Sequence, residues 1–389
     1  MNRHAGARPK GKPTGAWPGA IPDGIQEEDR TLFRRITSTT LTPDQERRFL
    51  QVPRVYPEEE TVLAIHWHPE FIPMELAAKR IDVVFPHRTC ELIIPTQHNT
   101  LTSLGDFAGV EVDCYSAGFN QKIQLLLHFE RSRLAGAHSL ELILDHTYRY
   151  RATQLFHYLY SITKPDAEIL DLAARNTGAD EGLVRFVRVH TGKIEEMIKE
   201  MGDDIPPEMI KNKMVRNFFD GLRERYPDGL IDRAQTFLAA VKKSVKARFP
   251  LNYFHRTSEV IEEARAVGCG IVVPHPEQFW PVLLADYDVD GYEVWNPQSH
   301  TYTEFLISVV NGKNRKLGPS ERPLLVFMGD DTHLSEKVRA PEEQDQEKAG
   351  REVGLQPAWK DATISRALTR AGMDKKQIIR EYRQRLAGG

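Results

Sequence analysis

The chain has 389 residues, 40% hydrophobic and 28% charged, with a formal net charge of -3. A chain of that length buries its own core, and the composition excludes wholesale disorder, collagen-like order and coiled-coil order. The near-balanced charge announces no polyanionic partner, and Cys90, Cys114 and Cys269 are too few for a disulfide framework or a thiolate zinc site.

Residues 1–25 are rich in Gly, Pro and Ala and carry Arg3, Arg8, Lys10 and Lys12 against one acid, Asp23, which reads as a disordered basic arm. The arm has no apolar run, so it is not a signal peptide, and no stretch reaches the roughly 18 apolar residues of a membrane span. The expectation is a cytoplasmic protein with no membrane partner.

Short apolar runs follow: TVLAIHWH (61–68), ELIIPTQH (91–98), GVEVDCY (109–115) and KIQLLLHF (122–129). Each is of strand length, and such runs are buried on both faces, as in parallel sheets. From about 131 to 250 the spacing becomes helical, and this stretch reads as an insertion punctuated by Pro206, Pro207, Pro227 and Pro250. Its aromatic segment YRYRATQLFHYLY (148–160) reads as the core face of a helix. SEVIEEARAVGCG (258–270) predicts a crossover helix. Strands return as GIVVPHP (270–276), DGYEVWN (290–296) and PLLVFMGDDTH (323–333), and a charged loop from 336 leads to a last helix over about 361–387. The domain reading is an arm (1–25), an α/β barrel (26–335) carrying the insertion, and a C-terminal extension (336–389).

The chemistry gathers on the strands. His66, His68, His98, His128, His275 and His333, with Glu111, Glu293 and Asp331, lie within or just past the seven predicted strands. In a parallel barrel the C-terminal strand ends share one face, so these side chains converge. Side chains at i and i+2 point the same way, which pairs His66 with His68 and Asp331 with His333. Imidazole and carboxylate without thiolate suit Zn²⁺, Mn²⁺ or Fe²⁺. The set exceeds the four ligands of one tetrahedral ion, which implies two or three divalent ions. Clustered ions are suited to phosphoester hydrolysis, where negative charge spreads over several oxygens.

In chain order, AIHWHP, IIPTQHNTL, GVEVD, LLLHF, VVPHP, GYEVWN and GDDTH resemble the motif blocks of the PHP (polymerase and histidinol phosphatase) superfamily. The resemblance covers about 60–130 and 255–335. It implies a distorted seven-stranded, TIM-like (β/α) barrel with a di- or trinuclear site, where a metal-bound hydroxide attacks a phosphomonoester or phosphodiester. It assigns His66, His68, His98, Glu111, His128, His275, Asp331 and His333 as ligands, Glu111 and Asp331 as bridging carboxylates, and Glu111, Asp331 and His333 as the catalytic set. Glu293 falls outside the metal shell, in a structural role. Gln97 stands where the family carries Asp, and after HxH only Glu70 and Glu75 can supply a further ligand.

Arg88 and Lys122, near the predicted rim, are candidates for phosphate binding, against plain surface charge. Residues 211–256 hold eleven Lys or Arg against four acids. That surplus reads either as a nucleic-acid surface or as a solvated helix face. The expected partner is a phosphorylated small molecule or an oligonucleotide. The rival reading is a non-catalytic nucleic-acid-binding or scaffold protein with a degenerate metal site. An amidohydrolase-type site is disfavoured, because no predicted rim strand offers the bridging lysine.

Overall fold

The computed structural model describes residues 21–318, 321–341, 344–370 and 373–388, so most of the predicted arm lies outside the described residues. The chain divides into two compact units: the chain up to Thr40 with Arg149–Pro250, and Leu41–Tyr148 with Leu251–Gly389. The sequence reading drew its insertion from 131 and its barrel from 26. Helix His138–Tyr148 instead belongs to the strand-bearing unit and helix Glu27–Thr37 to the helical one.

The helical unit is built on amphipathic periodicity. In helix Glu181–Met201, Leu183, Phe186, Val187, His190, Ile194, Met197 and Ile198 recur on one buried face, and the Asp180 side chain caps the start by accepting from Leu183 N at 2.8 Å. In helix Tyr150–Thr163 the buried face is Gln154, Leu155, Tyr158, Leu159 and Ile162, so Tyr158 is the aromatic of that segment that is buried in the core. Asp29 is fully buried between Lys193 (2.9 Å) and Arg225 (2.6 Å). Burial resists its charge, but the Gln26 amide and the two cations hold its carboxyl below the usual range. Five of the six arginines of 211–256 form ion pairs within the same unit, Arg225 with Asp29 as above. Arg223 reaches Asp232 (2.7 Å), Arg233 reaches Asp180 (2.7 Å), Arg248 reaches Glu168 (2.9 Å) and Arg216 reaches Asp220 (3.7 Å).

The strand-bearing unit holds β1 (Thr61–Ala64), β2 (Trp67–His68), β3 (Cys90–Ile93), β4 (Thr102–Leu104), β5 (Phe107–Ser116), β6 (Gln121–Glu130), β7 (Gly270–Val273), β8 (Gly291–Trp295), β9 (Leu325–Met328) and β10 (Thr332–His333). They form a six-stranded sheet ordered β4-β5-β6-β7-β8-β9 and two two-stranded sheets, β1-β3 and β2-β10. This corrects the expected parallel barrel in two ways. The strands do not close into one barrel sheet, and β4, β5, β6 and β7 pair antiparallel, while β7, β8 and β9 are parallel. Between β5 and β6 lie only residues 117–120, with Asn120 left-handed at φ 48°. A link that short makes a hairpin, because a parallel crossover needs roughly a dozen residues.

Backbone bonds from the run after β3 tie the three sheets together: Thr96 N to Trp67 O (2.9 Å) reaches β2, and Asn99 N to Glu111 O (2.7 Å) with Glu111 N to Gln97 O (3.0 Å) reaches β5. Beneath lies a core containing Val110, Val112, Leu125, Leu127, Val272, Val294 and Phe327. The predicted last helix is two helices, Ala362–Arg370 and Lys375–Leu386. The second restarts at Asp374, whose side chain accepts from Gln377 N at 2.8 Å, and buries Ile378, Ile379, Tyr382 and Leu386.

A candidate metal centre

Strand ends carry the site. His66 and His68 sit at and just before β2, His98 follows β3, Glu111 lies within β5, His275 follows β7, and Asp331 and His333 flank or end β10. The chain leaves its extended path at these points. Glu70 (φ 54°), Asn99 (φ 54°), His275 (φ 27°) and Asp331 (φ 46°) occupy the left-handed region. Such positions cost about 1–3 kcal/mol each in non-glycine residues and cluster where function over-determines the backbone.

Glu111 and Asp331 face the imidazoles. From Glu111 the neighbouring Nε2 atoms lie at 3.5 Å (His275), 3.7 Å (His68) and 4.0 Å (His66), and His98 Nδ1 is in direct contact. From Asp331 Oδ1 they lie at 3.4 Å (His68), 3.5 Å (His333) and 3.7 Å (His66). Two overlapping triads emerge, His66–His68–Glu111 and His68–His98–His333, each with ligand atoms within 4.8 Å of one another. His68 belongs to both and stacks against His98 (4.2 Å) and His333 (4.4 Å).

The electrostatics favour a cation. Burial and the neighbouring His98 and His333 push His68 down to about 3, so it is neutral with one ring-nitrogen lone pair available. Burial opposes charge on His66, but Glu293, Asp331 and Glu111 together push it up to about 10. Burial likewise opposes ionisation of Glu111 and Asp331, yet the surrounding histidines hold both well below the carboxylate range. A pocket that keeps buried carboxylates ionised calls for positive charge. His66 Nε2 and both ring nitrogens of His68 are buried and make no hydrogen bond among the described residues. Those nitrogens, with Glu111 and Asp331, fit the donor set of a Zn²⁺, Mn²⁺ or Fe²⁺ site.

Glu293 stands behind this shell. Its carboxylate accepts from His275 N (2.7 Å) and lies 3.1 Å from His66 Nδ1, which fixes the ring and turns Nε2 toward Glu111 and Asp331. Gly329 makes room for it, since a Cβ there would lie 1.5 Å from Glu293 Oε1. Gln97 is buried beside the site. Its Oε1 accepts from Glu70 N at 3.4 Å, bracing that left-handed residue. Glu70 Oε1 lies 3.7 Å from His333 Nδ1 and its other oxygen bonds Ser335, so Glu70 joins the site's edge.

Three expected residues fall elsewhere. His128 spends both ring nitrogens in the core, Nδ1 with Tyr382 Oη (2.7 Å) and Nε2 with Ile65 O (2.9 Å). The cause is strand direction: β6 runs antiparallel to β7, so His128 is level with Gly270 at the start of β7, while His275 follows its end. Arg88 is held by Asp82, Glu91 and Phe85 O at the entry to β3. Lys122 pairs with Asp113, which Asn99 also bonds. Cys114 is fully buried, as expected of a small core residue. Arg351 and Gln298, which the sequence reading did not single out, both bond Asp331.

No protein-family model and no curated protein matches the sequence. Among solved structures, the chain is similar to a protein from Bifidobacterium adolescentis provisionally assigned as a metal-dependent phosphoesterase. The identity is 15% and the TM-score 0.41, over 81% of this chain and 98% of that one. Among the described residues no helix is long and apolar enough to cross a membrane.

Proposed function

We propose that the chain is a metal-dependent phosphoester hydrolase of PHP type. The observation that carries this reading is the convergence of His66, His68, His98, His275 and His333 on two ionised buried carboxylates, with His66 Nε2 and the His68 ring nitrogens making no hydrogen bond among the described residues. His66, His68, Glu111 and His275 would hold one ion, and His68, His98, His333 and Asp331 face a second position. A bound divalent ion supplies Lewis-acid polarisation of a phosphoryl oxygen and lowers the pKa of water at neutral pH.

The chain's own residues do the rest. Glu293 orients His66, and the neutral His68 presents its one free ring-nitrogen lone pair where the two triads overlap. His98 and His333 are the more open members, with side chains 18% and 20% exposed, so substrate approaches from their side. The ion pairs on the arginines of 211–256 reduce the free charge on which a nucleic-acid groove would depend. We therefore place a compact phosphoester ahead of an oligonucleotide.

The test is a panel of nitrophenyl phosphate, bis-nitrophenyl phosphate and short oligonucleotides, assayed with Mn²⁺ or Zn²⁺ and with chelator. Metal-dependent turnover is expected, and His66→Ala with His68→Ala should lower it by orders of magnitude while the protein still folds. Turnover untouched by chelator, or by the double substitution, refutes the reading.

A further inference from the structure

Resting on the metal-site reading above, the geometry points to Arg351 as a positioning residue for Asp331. The segment 351–356 lies in the region the sequence presented as a charged loop, yet five of its six residues are buried. Arg351 donates from one guanidinium nitrogen to Asp331 Oδ2 (3.0 Å) and to Asp331 O (3.1 Å). Gln298 Nε2 donates to the same Oδ2 at 3.0 Å. With two donors on it, Oδ2 is occupied, and Oδ1 is left facing His66, His68 and His333. Asp331 therefore offers one oxygen to an ion rather than two. The clamp also fixes the carboxylate of a residue held in the left-handed region.

The segment is anchored at Glu352 and beyond it. Glu352 pairs with Arg80 Nε (2.9 Å) and Lys337 (3.0 Å), while Gly354 N donates to Asp330 Oδ2 (2.8 Å) and Gln356 Nε2 to Leu63 O (2.8 Å). The guanidinium thus sits on a brace whose register is set elsewhere in the strand-bearing unit. Its second nitrogen reaches Glu347 at 3.0 Å.

The sign of the effect separates positioning from simple charge. A buried cation beside a cation site opposes metal binding, so if Arg351 acted by charge alone, its removal would tighten binding. Positioning predicts the opposite, because partners that orient ligands are worth about 10–100-fold in metal affinity. The test is calorimetric titration of the full-length protein with Mn²⁺ and with Co²⁺, beside circular dichroism to establish folding. Arg351→Met keeps the buried stem and should weaken binding about tenfold or more. Gln298→Leu changes no charge and should weaken it in the same direction; it decides the matter where Arg351→Met fails to fold. The Co²⁺ visible bands should also lose intensity in Arg351→Met, since a freed Oδ2 can raise the coordination number. Equal or tighter binding in the folded variants, with an unchanged Co²⁺ spectrum, overturns the assignment. Absence of metal uptake by the unsubstituted protein overturns the metal-site reading and the assignment with it.

Discussion

Gly329→Ala probes the support of the site without replacing any ligand. The added Cβ would lie 1.5 Å from Glu293 Oε1, 2.5 Å from its Cδ and 3.0 Å from His66 Nδ1. Carbon and oxygen need about 3.5 Å, so the carboxylate and the Gly329 backbone just past β9 must part by about 2 Å. Glu293 cannot yield freely, because it accepts from His275 N at 2.7 Å and lies 3.1 Å from His66 Nδ1. A movement of that size breaks both contacts. Overpacking of this kind costs about 1–3 kcal/mol of stability. Loss of the group that orients His66 should weaken metal binding about 10–100-fold. Calorimetric Mn²⁺ titration reads the second effect and urea unfolding in chelator the first. A double-mutant cycle with Glu293→Ala then tests the cause. Once the carboxylate is gone the clash is gone, so the two stability losses should fall short of additive by about 0.5–3 kcal/mol. Additive losses, or full metal affinity in Gly329→Ala, would refute the account of Glu293 as the group that fixes His66.

In the helical unit, burial and the nearby Lys193 push His190 down to about 3, and its ring is enclosed by Phe186, Phe219 and Tyr226. A base with a lowered folded pKa binds its proton preferentially when unfolded. The penalty is therefore absent above about pH 6.5 and grows as pH falls toward 3, at up to ~1.4 kcal/mol per unit. His190→Leu should erase that slope, so urea midpoints of parent and variant should separate progressively from pH 6.5 to 4.5; parallel curves would exclude His190 as the source. For the basic segment, a nucleic-acid groove would lose up to three phosphate contacts on reversing Lys242, Lys243 and Lys246 to Glu, flattening its salt slope by about 2. The ion pairing of the neighbouring arginines predicts instead that oligonucleotide and nitrophenyl phosphate turnover respond alike, which parallel salt titrations would check.

The sequence by itself determined the residue chemistry and its placement along the chain. The apolar runs marked strands because short stretches of Val, Ile and Leu bounded by polar turns have few other uses, and the i, i+2 spacing in HWH and DTH is a local property of extended backbone. That is why His66, His68, His98, Glu111, His275, Asp331 and His333 could be named from the sequence and are brought together by the fold. Strand direction was not legible, since a run buried on both faces reads the same in a parallel and an antiparallel ladder. That one ambiguity removed His128 from the set, by pairing β6 antiparallel to β7. Nor could the sequence assign the partners of Asp331. Gln298 and Arg351 lie 33 and 20 positions away from it, in segments with no periodic pattern. Their role exists only once the chain packs residues 351–356 against the loop that follows β9, because contacts between distant segments depend on tertiary burial and leave no trace in local spacing.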